Sequence, residues 1–288
     1  MRILVTGNLG FVGNATKKLL ESMNHQVIGY DIMDGKDIRD GTQLDAVVNA
    51  ERPDRILHLA AIARFSEADK DPKLAFETNV LGTRNIAIVA NKYHIPVVYS
   101  STGSAIMPLN DYKPPFNEDI PARGNSIYGS TKAMGEYLIQ ASKPYIILRY
   151  GHLFGAEKRM HGAVSGFLDR MKRGLQPVLY GGHQTNSFIY IKDVAQANYL
   201  ALTANWDCWN QIYNIGSAEE LTTEYVFEQI KKLTGYKGKI EKKEQRTVDP
   251  SRFAFDVSKA ERMLGFKPKY DFQKGLSDML GEMELLKK

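Results

Sequence analysis

The chain has 288 residues, of which 43% are hydrophobic, 10% aromatic and 25% charged, proportions that exclude a disordered or collagen-like chain. This length fits one large domain or a domain with a smaller lobe. The formal charge of +5 and a pI near 9.0 come from Lys and Arg interleaved with acids, with no basic stripe to follow a nucleic-acid backbone. No apolar run approaches the roughly 18 residues of a membrane helix, and the first one ends in a glycine turn, too short for a signal peptide. Cys208 is the lone cysteine, and no Cys/His spacing, His161 and His183 included, reads as a metal site, so no metal and a reducing, cytoplasmic setting are expected.

In chain order, Arg2–Thr6 reads as a buried strand and Phe11–Glu21 as a helix with Val12, Ala15, Leu19 and Leu20 on one side. His25–Asp31 is a strand ending in an acid; Thr42–Glu51 is helical and Pro53 stops it. Arg55–Ala61 is a strand, and Pro72–His94 a long helix with Phe76, Val80, Thr83, Ala87 and Ala90 on or near one stripe. A strand at Val97–Ser101, a helix at Ile127–Ala141 and a strand at Tyr145–Tyr150 follow. This alternation predicts an α/β fold with a doubly wound parallel sheet, whose ligands sit beyond the carboxyl ends of its strands. After Tyr150 the rhythm weakens, although Phe188–Leu202 still reads as a strand and then a helix. Smaller αβ pieces are expected at Ile212–Asn214, Thr223–Leu233 and Lys239–Lys243. The predicted division is 1–150 plus about 187–212 for the main domain, with 151–186 and 213–288 forming a smaller C-terminal α/β substrate lobe.

Thr6-Gly7-Asn8-Leu9-Gly10-Phe11-Val12-Gly13 lies between the first strand and the first helix. Gly7 permits a tight turn, Gly10 lets a pyrophosphate approach the backbone, and Gly13 lets helix and strand pack closely. Helix-terminal N–H groups then face the anion. GxxGxxG alone is a weak signal; its place between strand and helix strengthens it. Asp31, about twenty residues past the start of the loop, can accept both adenosine ribose hydroxyls and would repel a 2′-phosphate; no arginine follows it, which favours NAD over NADP. The alternative is that Asp31 caps a turn.

Tyr128-Gly129-Ser130-Thr131-Lys132 sets a phenol and an ammonium four residues apart, on one helix face. The cation is expected to lower the phenol's pKa, so that the pair can exchange a proton with a substrate alcohol while hydride moves to or from nicotinamide. Ser100-Ser101-Thr102 ends a strand beyond which the substrate should sit, and Thr102 can hydrogen-bond the reacting oxygen. Structural alternatives stand beside each of these: YxxxK is common, and hydroxyls often end strands. His58 reads as a packed, hydrogen-bonded residue.

These residues resemble the extended short-chain dehydrogenase/reductases, specifically the NAD-dependent nucleotide-sugar epimerase/dehydratase group. The resemblance spans nearly the whole chain: the glycine loop, His58-Leu59-Ala60-Ala61, Asn79-Val80-Leu81-Gly82-Thr83, Ser100–Thr102, Tyr128 with Lys132, Phe188–Val194, Asn214-Ile215-Gly216, and Leu264–Pro268 followed by Gly275-Leu276. It implies a Rossmann-type domain, bound NAD and a lobe for a nucleotide-diphosphate sugar. Gly7 to Gly13, with Asn8, Leu9, Phe11 and Val12 between them, would hold the pyrophosphate and Asp31 the ribose. Asp37 and Ile38 would contact adenine. Leu59, Ala60, Ala61, Asn79 and Ser100 would line the dinucleotide path, and Tyr128 and Lys132 its nicotinamide end. Thr102, Tyr128 and Lys132 would be catalytic. Substrate would meet Thr102, Gly103, Ser104, His152 and Asn186, and Arg252, after Asp249, resembles the arginine that clamps its diphosphate. The resemblance also implies a homodimer through a four-helix bundle, with Pro72–His94, which shows a second apolar face at Leu74, Leu81 and Ile88, and Ile127–Ala141.

Several positions depart from the pattern. Few residues separate Asp31 from Asp37, as in the small 4-keto-sugar reductases of the superfamily. Asn186-Ser187 stands where the family has Arg-Asp, and His152 where a substrate-contacting asparagine sits. The usual Val-Tyr-Gly is replaced around Ile106-Met107-Pro108. Thr102 is followed by Gly103-Ser104 and not by the Asp-Glu of 4,6-dehydratases, which argues against dehydration. The leading expectation is an NAD-dependent nucleotide-sugar epimerase acting at C4. The alternatives are an NAD(P)H-dependent 4-keto-6-deoxy-sugar reductase, with His152 as a second acid, and a non-catalytic dinucleotide sensor.

Overall fold

The computed structural model describes residues 1–107, 112–156, 162–217, 219–244 and 251–286; Pro108, His161 and Asp249 lie outside them. The first half runs β1 (Arg2–Thr6), α1 (Phe11–Ser22), β2 (Gln26–Tyr30), α2 (Gly41–Glu51), β3 (Arg55–His58), α3 (Phe65–Lys70), α4 (Pro72–Phe76), α5 (Thr83–Tyr93), β4 (Val97–Thr102), α6 (Ile127–Gln140) and β5 (Tyr145–Tyr150). The second half runs β6 (His152–Phe154), α7 (Gly162–Lys172), β7 (Val178–Tyr180), β8 (Thr185–Asn186), β9 (Phe188–Tyr190), α8 (Ile191–Leu202), β10 (Gln211–Ile215), β11 (Leu221–Thr222), α9 (Thr223–Thr234), β12 (Glu241–Lys243), α10 (Ser258–Leu264) and α11 (Phe272–Glu282).

The central sheet has the order β10-β5-β4-β3-β1-β2, and every pairing in it is parallel. Parallel strands buried on both faces need near-continuous apolar sequence, which Ile3-Leu4-Val5 and Tyr145–Leu148 supply. Alternate residues serve opposite cores. Ile3, Val5, Leu57 and Val98 pack with α1, α8 and the C-terminal elements, whereas Leu4, Ile56, Val97 and Tyr99 pack with α2 and α5. The chain leaves β1 toward β2 on one side and returns to β3 on the other, so the crevice beyond Thr6 and His58 is the switch point where ligands bind in such sheets.

Two features differ from the sequence reading. β10 joins the central sheet beside β5, so a domain boundary at 212 would cut a strand. The helix expected at Pro72–His94 contains a π-helical stretch at Glu77–Gly82, an irregularity common near functional sites. Of its proposed inner stripe, Val80, Thr83, Ala87 and Ala90 are buried but Phe76 is exposed.

His58 bears out its reading as a packed residue. Its Nδ1 lies 2.7 Å from Thr6 Oγ1 and its Nε2 3.0 Å from Thr83 Oγ1. Burial, reinforced by Lys132, pushes its pKa down to about 3, and burial pushes His152 down to about 4. Both rings are neutral in the fold and take up a proton near pH 6.5 only when unfolded, so their stabilising share is complete above pH 6.5 and is lost as pH falls. Acidifying from pH 6.5 to 5 should cost about 2 kcal/mol per histidine. Urea midpoints at the two pH values test this: His58→Gln should flatten the slope, and an unchanged slope would contradict the account.

Candidate active site

The glycine loop is a cradle that side chains would fill. Gly7 has φ +69°, and a Cβ there would lie 2.8 Å from Ala60 N. One on Gly13 would lie 2.0 Å from Gly7 O, so α1 packs against the loop only without it. Gly10 is the N-cap of α1 and supplies no capping side chain, which leaves the first N–H groups of the helix for an anion. Asn8 is buried under the loop against Gly29, and its Oδ1 has no hydrogen-bond partner among the described residues. Across the switch point, Leu59 N and Ala60 N both donate to Thr6 Oγ1. This set, with Phe11, Val12 and Ala61 beside it, fits a dinucleotide pyrophosphate.

Asp31 bears out the turn-cap reading and also reaches the glycine loop. Its Oδ1 accepts the Met33 N–H and caps the short turn Ile32–Asp34, while its Oδ2 accepts the Leu9 N–H of the glycine loop at 3.0 Å. Each oxygen keeps further acceptor capacity for ribose hydroxyls. The short path to Asp37 is held by Lys36, whose Nζ donates to Gly29 O, and by Tyr30, whose hydroxyl lies 3.1 Å from Asp37 O. Arg39 grips the Asp37 carboxylate and lowers its pKa, and Ile38 is packed against Gly82. Asn79 holds the loop after β3. Its Oδ1 accepts Ile62 N–H, and its Nδ2 donates to Ile62 O and Thr131 Oγ1, so both amide protons are engaged within the protein. The Ser100 hydroxyl meets Tyr150, whose own hydroxyl donates to Asn198.

α6 begins at Ser126, whose Oγ accepts the Gly129 N–H, so Tyr128 stands in the first helical turn. The Tyr128 hydroxyl stands beside the Thr102 side chain, which favours the ionised phenol. Lys132 follows one turn later and is 3% exposed. Its Nζ sits 4.1 Å above the centre of the Tyr99 ring, a cation–π contact. Burial pushes the Lys132 amine down to about 7, opposed by Glu136 one further turn along. The phenol differs from expectation: burial pushes Tyr128 up to about 12, opposed only by Thr102. The protein's own groups therefore keep the phenol protonated at neutral pH. Glu136, which sequence reading missed, pairs with Arg149 at 2.8 and 3.0 Å and accepts Ser101 Oγ at 2.6 Å, with all three residues buried. Arg149 also donates to Ile120 O, tying β5 to the segment before α6.

The model of the "NAD dependent epimerase/dehydratase family" matches residues 3–216. The chain belongs to this family. It is 34% identical to a putative UDP-glucose 4-epimerase of Methanocaldococcus jannaschii, over 98% of each chain. Among solved structures it is similar to a UDP-glucose 4-epimerase with UDP-glucose from Thermotoga maritima (TM-score 0.91, 28% identity, 99% of each chain). It is also similar to a Thermus thermophilus UDP-glucose 4-epimerase in complex with NAD (TM-score 0.87, 27% identity, 99% of each chain).

As a member of the epimerase/dehydratase family, this chain shows physical reasons for its departures. A Cβ on Gly103 would lie 2.2 Å from Phe255 Cζ and 2.8 Å from Phe253 Cζ, so two phenylalanines occupy the space an acidic side chain would need after Thr102. The alternating Arg252-Phe-Ala-Phe255 pattern marks an extended segment but carries no sign of the surface it faces. Ser104 is half-buried, and its carbonyl accepts Asn125 Nδ2. His152 stands between the Phe188 and Phe253 rings, with Nδ1 unpartnered among the described residues. Asn186 lies on β8 opposite Leu221, and the neighbouring Thr185 bridges to Arg252. Arg252 differs from expectation: Phe253 and Phe255 are the residues of that segment turned toward Gly103 and His152, which puts Arg252 on the opposite, exposed face, where Glu220 holds its guanidinium.

Proposed function

We propose that this protein is an NAD-dependent epimerase of a nucleotide-diphosphate sugar, acting at C4. What supports the reading most is the Thr102–Tyr128 hydroxyl pair at the end of β4, with Lys132 one turn beyond it. NAD, when bound, supplies the hydride acceptor and donor and a positive charge beside the phenol. Tyr128 removes the proton from the sugar 4-hydroxyl and later returns it. Thr102 hydrogen-bonds the phenol and the reacting oxygen. Lys132, seated on the Tyr99 ring, offers its amine to the nicotinamide ribose. Gly103, Ser104, His152 and Asn186 border the sugar and nucleotide. Residues 1–150 with about 187–215 form the dinucleotide-binding domain, and the rest forms the substrate lobe.

Native mass spectrometry of the purified protein should find one dinucleotide per chain, and C4 epimers should interconvert with no net change in its redox state. The 4-keto reductase reading keeps one supporting observation, the single short turn between Asp31 and Asp37. Stoichiometric oxidation of reduced cofactor would establish it in place of the epimerase.

Asp31 sets the cofactor preference in this reading. Asp31→Ala should weaken NAD binding, because Leu9 and Met33 lose their acceptor. It should also shrink the NAD/NADP affinity ratio about tenfold, or about 1.4 kcal/mol. The ratio is the decisive measurement, and an unchanged ratio would show that Asp31 does not face the ribose.

The enzyme also forms a homodimer in our reading. Leu81 and Ile88 along the π-helical stretch and α5, and Met134 and Tyr137 on α6, are exposed apolar side chains on adjacent helices. Sedimentation velocity should give twice the chain mass, and Tyr137→Glu should halve it. The buried free thiol of Cys208 suits a reducing, cytoplasmic setting.

A further inference from the structure

Lys132 is a buried ammonium with no carboxylate of its own. It is 3% exposed, and its Nζ has no hydrogen-bond partner among the described residues. The charged and titratable groups around it are engaged elsewhere or neutral. Glu136, one turn along α6, gives both carboxylate oxygens to Arg149 of β5 and accepts the Ser101 hydroxyl as well. His58 of β3 is uncharged, with its two ring nitrogens against Thr6 and Thr83. Tyr128 keeps its proton. A buried charge left in this state is costly, and burial drives the amine toward its neutral form.

What lies beneath the amine is a ring. Lys132 Nζ sits 4.1 Å from the centre of the Tyr99 ring on β4, and Tyr99 is fully buried. The ring is held in place. The His58 ring lies 5.5 Å from it, and the Tyr99 hydroxyl reaches across α6 to within 3.5 Å of Lys132 O. A Cβ on Gly135 would lie 2.1 Å from Tyr99 Oη, so the phenol crosses the helix only because that turn carries glycine. An aromatic face draws a cation without supplying an oxygen acceptor. A carboxylate in its place would pair with the amine and take up its N–H groups. The ring leaves them for oxygens in the crevice.

We propose that Tyr99 is a positioning residue: its ring face holds the Lys132 ammonium in place and leaves the ammonium's N–H groups to the nicotinamide ribose. The inference rests on the reading that Lys132 meets that ribose. Tyr99 acts only through the amine.

The test is NMR of the purified, dinucleotide-containing protein carrying carbon-13 lysine, with the Lys132 signal identified by its absence from Lys132→Met. In wild type the protons beside the Lys132 amine should lie upfield of the ordinary lysine range, because they stand over the ring face. Tyr99→Leu should lose that displacement and should give up the ammonium proton about one pH unit lower, and Tyr99→Phe, which keeps the ring, should restore both. At pH 7 the dinucleotide should bind about fivefold more weakly to Tyr99→Leu, in step with the charged fraction of the amine, and the gap should close as pH falls. If Lys132→Met binds the dinucleotide like wild type, the reading of Lys132 falls and this inference with it. If Lys132→Met binds it weakly but the wild-type signal lies in the ordinary lysine range, the inference alone falls, whether or not Tyr99→Leu folds. A Tyr99→Leu amine that titrates like wild type, or a loss of binding that does not change with pH, would make the ring a structural support and would also overturn it.

Discussion

Tyr128→Phe should lower turnover about 10³-fold and leave the dinucleotide dissociation constant within about twofold. The substitution removes one oxygen. It takes away the proton carrier and the partner of Thr102, and leaves the ring edge-on to Phe65, 5.3 Å between centroids. Neither the glycine cradle nor Asp31 is touched. Burial holds the phenol at about 12 in the protein alone, so in the proposed mechanism its activation draws on the charge of the bound dinucleotide. Steady-state rates with parallel calorimetry separate the two effects. Wild-type-like turnover would remove Tyr128 from the chemistry, and a large loss of dinucleotide binding would make it a cofactor ligand first.

Arg149→Met should destabilise the fold by about 3–5 kcal/mol, the largest single-site stability effect expected in this molecule. Arg149 and Glu136 are 2% and 1% exposed, and removing the guanidinium leaves a buried carboxylate facing Ser101 and the Lys132 amine. Glu136 would then take up a proton or pull Lys132 from its seat on Tyr99. Pairing Arg149→Met with Glu136→Gln removes the orphaned charge and should recover most of the loss, since an apolar replacement of a buried pair is often near neutral. Urea denaturation of the single and double variants measures this. A loss below 1 kcal/mol in the single variant would mean the pair is not desolvated as described.

The sheet was legible because its signals are local. Ile3–Val5 and Tyr145–Tyr150 are apolar runs of strand length, and the Gly7–Gly13 spacing sits where strand gives way to helix. The Tyr128–Lys132 spacing needs only a helix to place both groups on one face. What escaped depends on contacts between distant segments. Glu136 looks like a solvated helix position until Arg149 arrives from the next strand. Phe253 and Phe255 become a wall of the site only when their segment crosses beside Gly103. α7 carries Val164, Phe167 and Leu168 at helical spacing, but Gly162 and Gly166 mask the pattern. The direction of the Tyr128 shift is hidden for the same reason: sequence shows the neighbouring cation but not the depth of burial.

The brevity of the passage from Asp31 to Asp37 has a consequence for the outer margin of the sheet. β2 is its last strand, and Lys36 folds back to satisfy Gly29 O on the unpaired side, a lysine guard against edge-to-edge association. Gly35, at the apex of the turn, has nothing within 4 Å of where a Cβ would point. Added residues there would grow outward into solvent at a small loop-closure cost. The Asp31 rim is thus a natural splice point, where this scaffold can gain an outer strand without disturbing the Tyr128 chemistry.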